Sequence, residues 1–154
     1  MHSLARRFIK TAIGFLTLGL FVGGWMIIRR ELLGRAPGAF EISAHTHLLL
    51  VGFVMTMILG VALWLFPRPD KSDRRYRPAL VELAYWLLTT GTLVRATSEF
   101  FHDSASGAWV SRSHWLIIMS SMAQIAALII FFFTMWTRVR GIGSREREAR
   151  GERF

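Results

Sequence analysis

His45-Thr46-His47-Leu48-Leu49-Leu50-Val51-Gly52-Phe53-Val54-Met55-Thr56-Met57-Ile58-Leu59-Gly60-Val61-Ala62-Leu63-Trp64-Leu65-Phe66 opens with two imidazoles and then carries no charged residue to its end. At about 1.5 Å of rise per residue, such a run crosses a hydrocarbon core of about 30 Å as a single helix. Ionisable groups at the boundary of such a helix are costly, and their usual justification is chemistry. The stretch therefore decides the fold class, an all-α integral membrane protein, and raises the question of what the imidazoles hold.

The remainder of the chain agrees with that class. A 154-residue sequence that is 53% hydrophobic, with six Trp and twelve Phe, yet carries a formal charge of +9, is not composed like a soluble domain. The arginines flank apolar runs and do not interleave with aromatics on one face, so nucleic acid is not an expected partner and the lipid bilayer is. The absence of cysteine excludes disulfides, cysteine-ligated iron–sulfur clusters, thioether-attached haem and thiolate copper. Any metal must then use His, Met, carboxylates or carbonyls.

Four apolar stretches, about 8–28, 45–66, 79–101 and 114–137, are each near spanning length and predict a four-transmembrane-helix bundle over 1–137. The first follows Arg6, Arg7 and Lys10 as a signal peptide would, but it is too long and meets no small-residue cleavage site before Arg29, so it reads as a retained anchor. Pro67 and Pro69 close the second stretch and Pro78 opens the third. Positive charge concentrates in the N-terminal segment, in the 67–77 connection and in the 138–154 tail, whereas the opposite side has only Arg29, Arg30, Arg35 and Arg112. The positive-inside rule then puts both termini in the cytoplasm, most naturally of a bacterial inner membrane. The tail alternates Arg and Glu from Ser144 onward and reads as a solvated helix or disordered segment.

With that topology Glu41, His45, His47, Glu99, His102, Asp103 and His114 fall at one membrane face, the outer or periplasmic one, with Arg95 about two turns inside it. His2 lies on the other side. Glu82 is the main polar exception in the inner halves. Convergence of this kind is how sites are built in helix bundles.

Helix geometry of about 100° per residue separates the two histidines of the opening pair. His45 shares a stripe with Leu49, Gly52, Thr56 and Gly60, whereas His47 points to nearly the opposite side with Val51, Val54 and Ile58. They do not chelate one ion together. Gly52, Thr56 and Gly60 leave a slot that either admits a flat cofactor beside His45 or lets helices pack closely. Arg95, Glu99 and His102 share one face of the third stretch; Arg95 either pairs with Glu99 or grips a carboxylate such as a haem propionate. His114 lies at about the depth of His45, with Ser121 on its face, and is the best partner ligand for it. His102 reads as a solvated loop residue, and Gln124 must find an internal hydrogen bond.

His45 through Gly52, continued by Gly60-Val61-Ala62-Leu63-Trp64-Leu65-Phe66-Pro67, resembles the second helix of the large subunit of haem-copper oxidases, most closely bacterial nitric oxide reductase. Arg77-Pro78-Ala79-Leu80 and the Tyr85-Trp86 helix with Gly91 are similar to the third. The resemblance covers about half of the chain. It implies that His45 is an axial ligand of a haem b near the outer face. The late helices of that subunit, with its other haem and metal histidines, have no counterpart here, so a complete oxidase or reductase site is not evident.

The expectation is thus a membrane b-type cytochrome with His45 and His114 as ligands, serving electron transfer or binding of a diatomic gas, with His47 or His102 as less favoured ligands. A homo-oligomer with an intersubunit site, and a redox partner protein or quinol, accompany it. The alternatives are a copper or zinc protein using the outer-face histidines, and a non-catalytic accessory or assembly subunit of a respiratory enzyme.

Overall fold

The computed structural model describes residues 3–66, 77–104, 106–139 and 150–151, and these are helical apart from short connections. Most of the 67–77 connection, most of the charged tail and His2 lie outside the described residues. Four long helices form: α1 (Ser3–Leu33), α2 (Ala39–Leu65), α3 (Pro78–Phe100) and α4 (Ala108–Met135). Their ends follow local chemistry. Gly34, with φ of 61°, takes the left-handed turn that stops α1, and the Arg35 amide reaches back to the Arg29 carbonyl at 3.1 Å. Pro78, whose missing N–H costs nothing in a first turn, begins α3.

α2 starts six residues earlier than the apolar run implies. Its first turn is polar, and the Glu41 carboxylate accepts the Gly38 amide at 3.0 Å as well as an ion pair from Arg29. His45 and His47 therefore stand inside a formed helix, not at its entrance. α4 likewise begins at Ala108, well before His114.

Successive helices run antiparallel, as their registers show: Gly23 meets His45 and Gly60 meets Phe8, Ser43 meets Glu99, and Gln124 meets Thr92. At one end all four helices share a core of Phe8, Leu59, Leu63, Val81, Tyr85, Leu88, Phe131 and Met135. Phe8 sits at its centre, edge-on to Tyr85 and Phe131 at centroid distances of 5.0 and 5.9 Å. Arg138 closes this end by donating to the Phe66 carbonyl at 3.0 Å, which satisfies the C-terminus of α2. At the other end the shared core shrinks to Phe15, Leu48 and Ala96, and α1 leaves Leu20, Phe21, Ile27 and Leu32 exposed.

α1, α2 and α4 are long and apolar enough to cross a membrane. α3 is long enough, but Glu82, Arg95, Glu99 and its threonines lower its hydropathy, so three of the four expected spans meet that measure and α3 is the more polar helix, packed against α2 and α4. The six Trp are all exposed. Trp25, Trp109 and Trp115 lie toward one end of the bundle and Trp64, Trp86 and Trp136 toward the other, the distribution that bilayer interfaces select.

Within α2, Leu48–Met55 forms a π-helical segment, and the Thr56 hydroxyl donates to Val51, five residues back, at 3.0 Å. The wider turn keeps Ala44, Leu48, Gly52, Thr56 and Gly60 in line at a constant spacing of four, where a regular helix would drift. Along that line a Cβ on Gly52 would come within 2.7 Å of the Phe15 ring, and one on Gly60 within 2.8 Å of the Phe8 Cβ. Gly60→Leu therefore overpacks the α1–α2 contact and should lower stability in detergent by about 1–3 kcal/mol. Gly14→Ala, with nothing within 4 Å, should leave the melting temperature unchanged or slightly raised.

Candidate functional site

The polar residues converge where the sequence places them, at the end of the bundle formed by the late part of α1, the start of α2, the end of α3 and the start of α4. They do not form one cluster. Three separate groups appear.

The first is built on Glu99, whose side chain is 2% exposed. Its Oε1 accepts from Arg95 Nε at 3.0 Å and from Ser43 Oγ at 3.0 Å, and its Oε2 lies 3.2 Å from His47 Nδ1. Arg95 also donates to Gln124 Oε1 at 3.4 Å, and Gln124 donates to the Thr92 hydroxyl at 3.1 Å. The cluster ties α2, α3 and α4 together. His47 Nδ1 is 2.8 Å from the Ser43 carbonyl, which can only accept, so that nitrogen carries the proton. Of the two roles the sequence leaves for Arg95, the structure shows the pair with Glu99, and Gln124 has the internal partners a mid-span amide needs.

The second group is His45. Its Nδ1 lies 3.0 Å from the Gly19 carbonyl oxygen and donates to it, so that in the neutral ring the lone pair belongs to Nε2. The ring rests on α1, where a Cβ at Gly23 would be 2.8 Å from His45 Cε1; only glycine leaves room for it. It borders an open cleft of about 210 Å³ lined by Gly23, Met26, Ile27, Arg30, Pro37 and His45. The two histidines of the pair thus leave α2 toward different helices, His45 to α1 and His47 to α3.

The third group is His102 with His114. Their ring centroids are 4.7 Å apart, and Phe40 covers His102 at 3.9 Å. His102 is half-buried and not free in solvent: it lies in a short turn after α3, and its Nδ1 donates to Ser113 Oγ at 2.8 Å. That hydroxyl in turn donates to the Val110 carbonyl at 2.8 Å. α4 is rotated so that Ser113, Ser120 and Gln124 face the interior, while His114 stays on the exposed side. Among the described residues no ring contact joins His114 to His45.

The Gly52, Thr56 and Gly60 stripe is filled by Phe15, Phe8 and Ile9 of α1, the close-packing arrangement. The residues that shape the His45 environment, Gly19, Gly23 and Met26, were not singled out from the sequence. Gly19 and Gly23 could have been, because small residues four apart on a spanning helix mark a close interface. Among the described residues no group of three His, Asp or Glu could hold a metal ion.

Removing one member of the Glu99 cluster strands a buried charge. Arg95→Leu and Glu99→Leu should each destabilise the protein by about 3–5 kcal/mol, and the double variant by much less than their sum. Thermal unfolding of the four proteins in detergent measures the coupling; additive losses would contradict a direct pair.

No curated protein and no solved structure matches the chain significantly. A family model described as "Cytochrome C and Quinol oxidase polypeptide I" does match, over residues 3–150. That span takes in all four helices and every residue of the three groups, and the chain therefore belongs to the haem-copper oxidase subunit I family.

Proposed function

We propose that the chain is a membrane haem b protein in which His45 Nε2 takes one axial position of the iron, in the cleft between α1 and the loop before α2. The observation that carries this reading is the hydrogen bond from His45 Nδ1 to the Gly19 carbonyl. Metal-ligating histidines characteristically donate their other nitrogen in this way, which holds the tautomer and raises the basicity of the ligating nitrogen. The donor set fits the group: a neutral imidazole with a bare Nε2, beside a glycine that clears space for its ring. Arg30 lines the same cleft; its Nε pairs with Glu31 at 2.7 Å at the exposed surface, and its terminal nitrogens suit a propionate carboxylate, whereas Arg95 gives Nε to Glu99 and Nη1 to Gln124.

Haem bound there would supply a one-electron couple, or a site for NO, O₂ or CO if its sixth position stays open. The chain's own contribution is to hold the imidazole, to supply an apolar wall and to keep the Glu99 cluster apart from it. The cleft is smaller than the roughly 300–1,000 Å³ of ordinary ligand pockets and is open on one side. Its cover comes from a further chain, a second copy being the simplest. Family membership supports a redox role, with a redox protein or quinol as partner. α3 crosses the bilayer with the other three helices, with Arg95 and Glu99 turned to its neighbours. Both termini then lie in the cytoplasm of a bacterial inner membrane, and the cleft opens on the periplasmic side.

Protein purified from haem-replete cells should show a Soret band and a b-type pyridine haemochrome, with iron and without copper or zinc by elemental analysis. His45→Ala should lose the band, His114→Ala should keep it, and Gly23→Ala, which displaces the imidazole, should weaken haem binding about 10–100-fold. A colourless preparation, or His45→Ala protein with unaltered spectra, would overturn the reading. Copper or zinc in place of iron, lost on changing His102 or His114, would favour the paired histidines as the metal site instead.

Orientation has its own check, because the chain has no cysteine. In intact cells Ser104→Cys should react with a membrane-impermeant maleimide, and Ser144→Cys only after permeabilisation.

A further inference from the structure

The first turns of α1 carry cations on the side that faces away from the bundle. The buried residues Ala5, Phe8, Ala12, Phe15 and Gly19 lie along one face. At about 100° per residue, Arg6 and Lys10 fall on the opposite face, and both are exposed. They stand four residues apart, about 6 Å along the axis, so both charged heads can reach one anion. Arg7, between them, is turned to α3 and donates to Glu82 at 3.1 Å. Among the described residues Glu82 is the only carboxylate at this end of the bundle, and Arg6 and Lys10 have no ion-pair or hydrogen-bond partner.

The depth of these cations follows from their neighbours on α3. Trp86 comes one turn after Glu82, toward the middle of the bundle, and is exposed; beside it the Tyr85 hydroxyl meets Thr11 of α1 at 2.8 Å. An exposed tryptophan on a membrane helix marks the boundary of hydrocarbon and headgroups. Arg7 is level with Glu82, so Arg6 stands about one turn outside that boundary, where lipid phosphates lie. Lys10, closer to the level of Trp86, has a stem long enough to bring its ammonium out to the same depth. Past them the outward side of α1 continues into Ile13, Leu20 and Phe21, all exposed and apolar.

We propose that Arg6 and Lys10 form a headgroup site for an anionic phospholipid, with the phosphate held between guanidinium and ammonium and the acyl chains lying along Ile13, Leu20 and Phe21. The charges are complementary, and no protein carboxylate described here competes for them. The guanidinium supplies directed donors and the ammonium a mobile point charge. A zwitterionic headgroup carries its own cation and gains less. The site is independent of any cofactor beside His45.

The test uses the full chain in non-ionic detergent. Thermal unfolding is followed with added phosphatidylglycerol, with phosphatidylcholine of the same acyl chains, or with inorganic phosphate, and native mass spectrometry counts the lipids retained. Phosphatidylglycerol should raise the melting temperature and remain bound, less so at high salt. Phosphatidylcholine and inorganic phosphate should do neither. The double variant Arg6→Gln with Lys10→Gln should bind phosphatidylglycerol about 30-fold more weakly, at about fivefold per cation. The exchange Arg6→Lys with Lys10→Arg should keep most of the affinity. Arg35→Gln with Arg112→Gln, two exposed cations at the opposite end, should bind as wild type does.

Both side chains are exposed and unpaired, so the glutamine variant should melt with wild type in phosphatidylcholine. Equal responses to the two lipids, undiminished binding by the glutamine variant, or an equal loss in the opposite-end control would overturn the proposal. A response to inorganic phosphate matching that to phosphatidylglycerol would also overturn it, since the acyl chains would then contribute nothing.

Discussion

The close approach of α1 to α2 governs the rest of the molecule. In hydrocarbon there is no hydrophobic drive to bring two helices together, so association depends on how well their surfaces fit. Here the fit is made of glycines facing rings: Gly52 under Phe15, Gly60 under Phe8, and Gly23 under His45. The contact runs the length of α2, and the π-helical segment keeps its small residues in line along the way. Because the His45 ring is one element of this packing, it is both oriented and tied to a backbone carbonyl of the neighbouring helix.

A second constraint comes from the buried carboxylate of Glu99. A charge at that depth is costly; Arg95 and Ser43 both donate to its Oε1, and His47 stands 3.2 Å from its Oε2, an atom that accepts no hydrogen bond among the described residues. This draws His47 to α3 and leaves His45 alone against α1. The two ends of the bundle consequently differ in kind. One is a shared aromatic and aliphatic core of all four helices; the other is divided among an ion cluster, an imidazole cleft and a stacked histidine pair.

Much of this arrangement was legible in the chain. The uncharged run after His47 and its counterparts in α1 and α4 identify membrane helices, because periodicity and length are local properties. The antiparallel order and the gathering of polar residues at one end follow from short connections and from which end of each run carries charge. The opposite directions of His45 and His47 follow from helix geometry alone, since both precede the π-helical segment. What was not legible depended on helix rotation. Nothing local distinguishes Ser113 from His114 as the inward residue of α4. The earlier start of α2 hides behind Glu41, whose charge reads as loop until the Gly38 amide and Arg29 are seen to neutralise it.

The sequence by itself determined an all-helical membrane protein and its family, because these depend on hydropathy, spacing and a contiguous motif. Only the tertiary structure decided which groups meet: Arg95 with Glu99, His102 with His114, and His45 with Gly19 and Gly23 on α1. The reason is physical. A helix has one axis direction that its sequence declares, but its rotation about that axis is set by the summed fit of every neighbour.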